Sequence, residues 1–170
     1  MGLMFKLGDR EMKSVKLDVN DTIYEILIQE DETLLNVLRE KLELTGAKPG
    51  CDTRSCGACK VIIDGESINS CSILACSAEN KKIYTIESFA RPEGLHPIQK
   101  AFIEAGAVQC GYCTPGMIIN TKVLLDKNSS PSESEIRQAF SNNLCRCTGY
   151  VKIIKAVQLA AHRLGGSKSE

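Results

Sequence analysis

Nine cysteines stand in this 170-residue chain, and eight of them fall into two sets of four. The first set is Cys51, Cys56, Cys59 and Cys71, spaced C-x4-C-x2-C-x11-C. Three thiolates on one short loop, with a fourth arriving from a following strand, can surround a small metal cluster, and this spacing suits a [2Fe–2S] centre. Gly57 and Ala58 between the ligands are small, so backbone N–H groups can approach the cluster sulfurs. A structural zinc site is the bland alternative. Zinc sites of four cysteines usually come as two close pairs, which this spacing is not.

The second set is Cys110, Cys113, Cys145 and Cys147, in the runs Gln109-Cys110-Gly111-Tyr112-Cys113 and Cys145-Arg146-Cys147. Each pair precedes an expected helix, one beginning at Pro115 and one near Tyr150. The free N–H groups and positive dipole ends of both helices could then face one anionic cluster. Two cysteine pairs suit tetrahedral zinc equally well, so spacing alone leaves this set open between zinc and iron–sulfur. Cys76 is left over, in the apolar run Ile73-Leu74-Ala75-Cys76, and reads as a buried, inert thiol. Arg54 and Arg146 lie inside the two motifs. Each is either a salt-bridged surface arginine or a cation that raises the potential of an anionic cluster. His96 and His162 lie away from the cysteines in sequence and are expected to be structural or exposed.

The elements that must position these thiols change character along the chain. Residues 1–14 show no period and read as a loose arm. Val15–Val19 alternates apolar with polar, Asn20-Asp21 turns, and Ile23–Ile28 returns as a second strand. Leu34, Leu35, Val37, Leu38 and Leu42 recur at helical spacing behind Thr33 as N-cap. Val61–Ile63, turning at Asp64-Gly65, and Lys82–Ile86 complete a small twisted sheet carrying one helix. From about residue 90 the period is helical, with helices expected at Pro97–Ala105, Pro115–Lys127, Ser132–Phe140 and Val151–Leu164. Thr114 before Pro115 reads as an N-cap, and Ser132 with Glu135 as a capping box. Ile154, Val157, Ala161 and Leu164 would form the buried face of the last helix. The Arg91-Pro92-Glu93-Gly94 stretch marks a boundary, dividing the chain into 1–89 and 90–170.

Composition narrows the chemistry further. Lys plus Arg and Asp plus Glu are 21 each, so no net charge draws the chain to nucleic acid or anionic membrane. The charge is uneven, with 11 basic and 15 acidic residues before position 90 and 10 and 6 after it. No eighteen-residue apolar run and no targeting signal is visible, so the cytoplasm is the expected location. Thiols in that compartment stay reduced, and a dense set of them binds metal more often than it forms disulfides. There is no G-x-G-x-x-G after a strand, no phosphate loop and no nucleophile elbow. Electron carriage is the chemistry that remains.

The runs Thr45-Gly46-Ala47-Lys48-Pro49-Gly50-Cys51, Cys56-Gly57-Ala58-Cys59, Gln109–Gly116 and Asn143–Tyr150 together resemble the small iron–sulfur subunit of the xanthine dehydrogenase family of molybdenum hydroxylases. Small subunits of aldehyde, carbon monoxide, nicotinate and 4-hydroxybenzoyl-CoA oxidoreductases are similar, and the resemblance covers about residues 15 to 164. It implies an α+β chain, with an N-terminal β-grasp, ferredoxin-like domain followed by a C-terminal four-helix domain. It also implies that the second cysteine set holds a [2Fe–2S] cluster. That cluster would lie beside molybdopterin in a large partner subunit, with Gln109 and Cys147 against the pterin, and the ferredoxin-type cluster would face an FAD-binding medium subunit. The assembly implied is a heterotrimer or a dimer of heterotrimers, with substrate chemistry at molybdenum in another chain. Arg54 stands where many relatives have a small residue. The rival readings are a free-standing two-cluster ferredoxin and a zinc-stabilised interaction module.

Overall fold

The computed structural model describes residues 4–7 and 10–165, with side chains described from residue 12 onward. Strand β2 (Arg10–Val19) is the hub of the sheet. It pairs antiparallel with β3 (Thr22–Gln29) from Met12↔Gln29 to Val19↔Thr22, around a turn whose Asn20 and Asp21 both take positive φ. Such a two-residue turn matches the twist of the strands it joins. β1 (Met4–Leu7) pairs with the start of β2. Residues 4–7 and 10–14 are therefore strand and not the expected loose arm, because main-chain pairing along β2 needs no side-chain period. The rest of that arm lies outside the described residues.

β4 (Lys60–Ile63) turns through Asp64 and Gly65 into β5 (Glu66–Asn69), a strand that its polar sequence did not announce. β6 (Lys82–Tyr84) runs parallel to β2 and antiparallel to β4, closing a mixed six-stranded sheet. Thr33 caps α1 (Leu34–Asn36) as expected, accepting from the Asn36 N–H at 3.3 Å. The regular helix expected through Leu42 instead widens into a π-turn over Val37–Lys41. This lets Leu34, Leu35, Val37 and Leu38 all enter the core of Val15, Leu17, Val19, Val61, Ile63 and Ile83.

The second half holds α2 (Pro97–Glu104), α3 (Thr114–Lys127), α4 (Glu133–Ala139) and α5 (Val151–Gly165). His96 caps α2 through its ring nitrogen and forms a reciprocal box with Gln99. The Ser132–Glu135 box opens α4. α3 starts one residue earlier than expected, so Cys113 and not Thr114 occupies its N-cap. α3 is the central helix. Its Met117, Ile119 and Val123 are buried on several sides, while Asn120 is satisfied by the Ala139 carbonyl. α5 buries Ile153, Ile154, Val157 and Ala160, whereas Leu164, expected on that face, is exposed. The two cores meet at Ile62, which belongs to a sheet strand but packs with the helices. The fold is α+β, ferredoxin-like in its first half and helical in its second. Among the described residues no helix is long and apolar enough to cross a membrane.

Candidate metal centres

All nine cysteines are free thiols. Cys51 ends an extended entry, and Cys56 and Cys59 lie on the loop that feeds β4. Cys71 lies in a 3-10 turn at Ser70–Ser72 directly after β5, rather than on the strand itself. That turn is pinned by Ser70, whose N–H and hydroxyl both donate to the Cys59 carbonyl. The result brings the Cys59 and Cys71 sulfurs to 3.3 Å. The Cys51 and Cys56 thiols likewise act on each other's proton.

In the second set, the Cys110 and Cys147 sulfurs lie 3.6 Å apart, and the Cys113 and Cys145 thiols interact in the same manner. Each pair joins the loop before α3 to the loop before α5. The Thr148 hydroxyl and amide donate to the Cys145 sulfur at 3.1 and 3.4 Å, and the Cys145 N–H donates to the Tyr150 hydroxyl at 2.9 Å. Gly149 and Tyr150 both take positive φ to make this turn.

The electrostatics differ within each set. The backbone amide of Cys56, followed by its thiol, holds Cys51 down to about 6. Burial pushes Cys59 up to about 11 and Cys113 up to about 12. At Cys145 burial acts upward but is outweighed by the Thr148 hydroxyl and amide, leaving the thiol below its ordinary value.

The donors thus come two by two. Among the described residues no three Cys, His, Asp or Glu groups gather where one metal ion could sit. A tetrahedral zinc needs four donors around one point, whereas a binuclear cluster takes two thiolates at each iron. The pairing fits [2Fe–2S] at both sets.

Hydrogen bonds tie the loops of the two sets together. The Leu144 N–H donates to the Cys56 carbonyl at 2.8 Å, and the Tyr112 hydroxyl donates to the Pro49 carbonyl at 2.6 Å. Between the sets is a cavity of about 280 Å³ walled by Cys51, Cys56, Cys113 and Cys147 with Tyr112 and Leu144. A Cβ at Gly57 would meet the Asn142 carbonyl at 2.3 Å, and one at Gly116 would meet the Gly57 carbonyl at 2.2 Å. The small size of Gly57 therefore serves the contact between the halves as well as its positive φ.

Two family models match the chain, one described as a 2Fe-2S iron-sulfur cluster binding domain over residues 17–82 and one as a [2Fe-2S] binding domain over residues 85–158. The chain is 47% identical over 150 residues to the nicotinate dehydrogenase small FeS subunit of Eubacterium barkeri, covering 88% of this chain and 96% of that one. The chain belongs to the small iron–sulfur subunits of the xanthine dehydrogenase family. A probable xanthine dehydrogenase subunit from Bacillus subtilis is 39% identical, with 91% of this chain and 89% of that one aligned; the nicotine 6-hydroxylase small subunit of Paenarthrobacter nicotinovorans is also 39% identical, with 89% of this chain and 91% of that one aligned. The crystal structure of quinoline 2-oxidoreductase from Pseudomonas putida 86 superposes with a TM-score of 0.87 at 36% identity, over 93% of this chain and 99% of that one. This small iron–sulfur subunit is an electron-transfer component of a multi-subunit molybdenum oxidoreductase, and its cofactors are two [2Fe–2S] clusters.

The remaining expected residues fall into place around the sets. Gln109, Cys110 and Cys147 are exposed together, as are Arg54 and Arg146. Neither arginine forms an ion pair among the described residues. Arg54 takes a positive φ and offers its carbonyl to Asn69. Cys76, expected to be buried, is only half-buried, with its thiol directed at the Glu30 carbonyl. His96 is buried and His162 exposed. Sequence reasoning missed Asn143, which is buried and reaches the Gly57 carbonyl, and Lys60, which is buried beside Cys59. Asparagine and lysine are usually exposed, so nothing in the one-dimensional pattern distinguished them.

Proposed function

We propose that Cys51, Cys56, Cys59 and Cys71 hold one [2Fe–2S] cluster and Cys110, Cys113, Cys145 and Cys147 the other, and that electrons pass singly between a molybdopterin-binding large subunit and an FAD-binding medium subunit through them. The observation that carries this reading is the bond from the Leu144 N–H to the Cys56 carbonyl. It joins a residue adjacent to one ligand set directly to a ligand of the other, through main-chain atoms and one short hydrogen bond. When bound, the clusters supply one-electron acceptor and donor states.

The chain's own residues do the rest. Thr148 directs two donors at the Cys145 sulfur, which favours a more negative site. Tyr112 and Asn143 hold the two loops together by hydrogen bonds to Pro49 and Gly57. Gln109, Cys110 and Cys147 form the exposed edge through which the large subunit's pterin is reached. Tyr112 and Leu144 from the same loops and Val151 at the start of α5 are exposed apolar side chains and suit a permanent partner surface. Residues 52–55 are exposed beside Cys51 and form the edge toward the flavin subunit. The ferredoxin-like unit spans 1–89 and the helical unit 90–170. The assembly is a heterotrimer or a dimer of heterotrimers in the cytoplasm.

The test is the metal content of the complex purified from its native host, with two variants. About four irons per chain and no zinc are expected from two binuclear sites. Cys71→Ser and Cys147→Ser should each abolish a different electron paramagnetic resonance signal while sparing the other. Zinc in place of iron, or one variant abolishing both signals with the fold intact, would overturn the assignment.

A further inference from the structure

A second cavity, of about 300 Å³, opens where the sheet, the boundary stretch and the helices come together. That volume is at the lower end of the range for small-ligand clefts, about 300–1,000 Å³. Ile62 of β4, Tyr84 of β6 and Phe89 give it apolar and aromatic walls. Arg91, the α2 cap His96 and Lys122 of α3 line it as well. The Gly94 N–H donates to the Arg91 carbonyl, closing the turn that carries Arg91. Lys122 lies nine residues beyond Cys113, so this wall stands about 13 Å along α3 from the second cysteine set.

His96 is only 5% exposed, and its ring lies 4.9 Å from that of Phe89 at 59°. Its Nδ1 accepts from the Ile98 N–H at 3.2 Å, so the proton of the neutral ring is on Nε2. Burial, then Arg91 and Lys122, keep the ring from taking a second proton at neutral pH. The Nε2–H has no hydrogen-bond partner among the described residues, and it is not sealed from solvent. The other polar groups of the walls are committed. The Tyr84 hydroxyl donates to Asp21, the Ser88 hydroxyl to the Thr85 carbonyl, and Lys122 to Asp126 at 2.6 Å. The Arg91 guanidinium has no hydrogen bond and no ion pair among the described residues. Two uncommitted donors, one of them a full cation, therefore line the same cavity as the aromatic walls.

We propose that this cavity binds a small aromatic carboxylate, its oxygens held by Arg91 and the His96 Nε2–H and its ring packed on Phe89, Tyr84 and Ile62. An ionised carboxylate is an acceptor only, which is what two free donors require. The guanidinium fork matches carboxylate geometry, and its charge strengthens the bond. Lys122 and Arg91 against the single carboxylate of Asp126 leave the walls with a net positive charge. A flat ring gains from tilted or offset contact with the two aromatic walls. Such a ligand touches the sheet, the boundary stretch and α3 together, and by binding the folded chain it stabilises their junction. No cysteine lines the cavity, so the inference stands apart from the cluster assignment.

The test is calorimetric titration of the intact complex with benzoate, with acetate lacking the ring and benzamide lacking the charge as comparison probes. Benzoate should saturate the wild-type complex with a Kd of about 1 mM or tighter. Acetate and benzamide should each bind at least about tenfold more weakly. Arg91→Gln and His96→Asn should each weaken benzoate about tenfold, as the loss of one hydrogen bond to a charged group does. Lys127→Gln removes the same charge from α3 outside the cavity and should leave the affinity unchanged. If His96→Asn lowers the yield of folded complex, Arg91→Gln on its exposed turn decides alone. Benzoate binding that Arg91→Gln does not weaken, benzamide binding as tightly as benzoate, or no saturation would overturn the proposal. Release of the partner subunits by Arg91→Gln would also overturn it, since a partner's own carboxylate would then fill the cavity.

Discussion

Gly116→Ala sets two principles against each other. Gly116 lies inside α3 with no positive φ, so helix propensity alone would make alanine more stable by about 1 kcal/mol. The tertiary structure predicts the opposite sign. The added Cβ would lie 2.2 Å from the Gly57 carbonyl oxygen and 3.3 Å from its carbon, both backbone atoms that cannot rotate away. Reaching an ordinary C···O separation of about 3.3 Å requires the seam to open by about 1 Å. Overpacking of this kind costs about 1–3 kcal/mol, so a net loss of about 1–2 kcal/mol is expected after the propensity gain. For a chain of this length that corresponds to a fall in Tm of about 2–8 °C. The assay is thermal unfolding of the cluster-loaded protein, followed by loss of its visible absorption. Gly165→Ala is the control. Its Cβ would meet nothing nearer than the Ser129 carbonyl at 3.9 Å, and it should be neutral or slightly stabilising. If Gly116→Ala proves as stable as wild type or more so, the close approach of α3 to the Cys56–Cys59 loop is wrong.

Three further outcomes are expected. Burial, followed by the nearby Arg91 and Lys122 cations, holds His96 down to about 4 from 6.5, so the unfolded chain binds the extra proton between those values. Stability should therefore fall as the pH drops from about 6.5 toward 4, and denaturant titrations of His96→Asn, which can still cap α2, should show a shallower fall; parallel curves would remove His96 as the cause. In the reduced, metal-free chain Cys51 should be the first thiol alkylated at neutral pH and should slow below about 6, whereas Cys59 and Cys113, pushed up to about 11 and 12, should react last. Mass mapping after brief iodoacetamide treatment reads the order. Tyr112→Phe removes the 2.6 Å bond to the Pro49 carbonyl and should cost about 0.5–1.5 kcal/mol in denaturant titrations, with both clusters retained.

Much of this protein could be read from its residues in one dimension. The two cysteine sets, the shift from period two to period 3.6 near residue 90, the Thr33 cap and the Ser132–Glu135 box are local signals, and local hydrogen bonding makes them reliable. What escaped was decided at a distance. β1 and β5 exist because β2 and β4 offer paired backbone to segments without an apolar pattern. The helix at Leu34 widened because the sheet above it had room for Leu34, Leu35, Val37 and Leu38 together. Spacing alone could not choose between zinc and a cluster for the second set. The pairing of Cys110 with Cys147 and of Cys113 with Cys145, across two loops, is a property of the folded chain. The same holds for the seam, where Gly57, Gly116, Asn143 and Leu144 are separated by up to 87 positions in sequence and meet only when sheet and helices pack. A sequence specifies which atoms can bind metal. Packing decides which of them face each other, because that depends on distances no local pattern encodes.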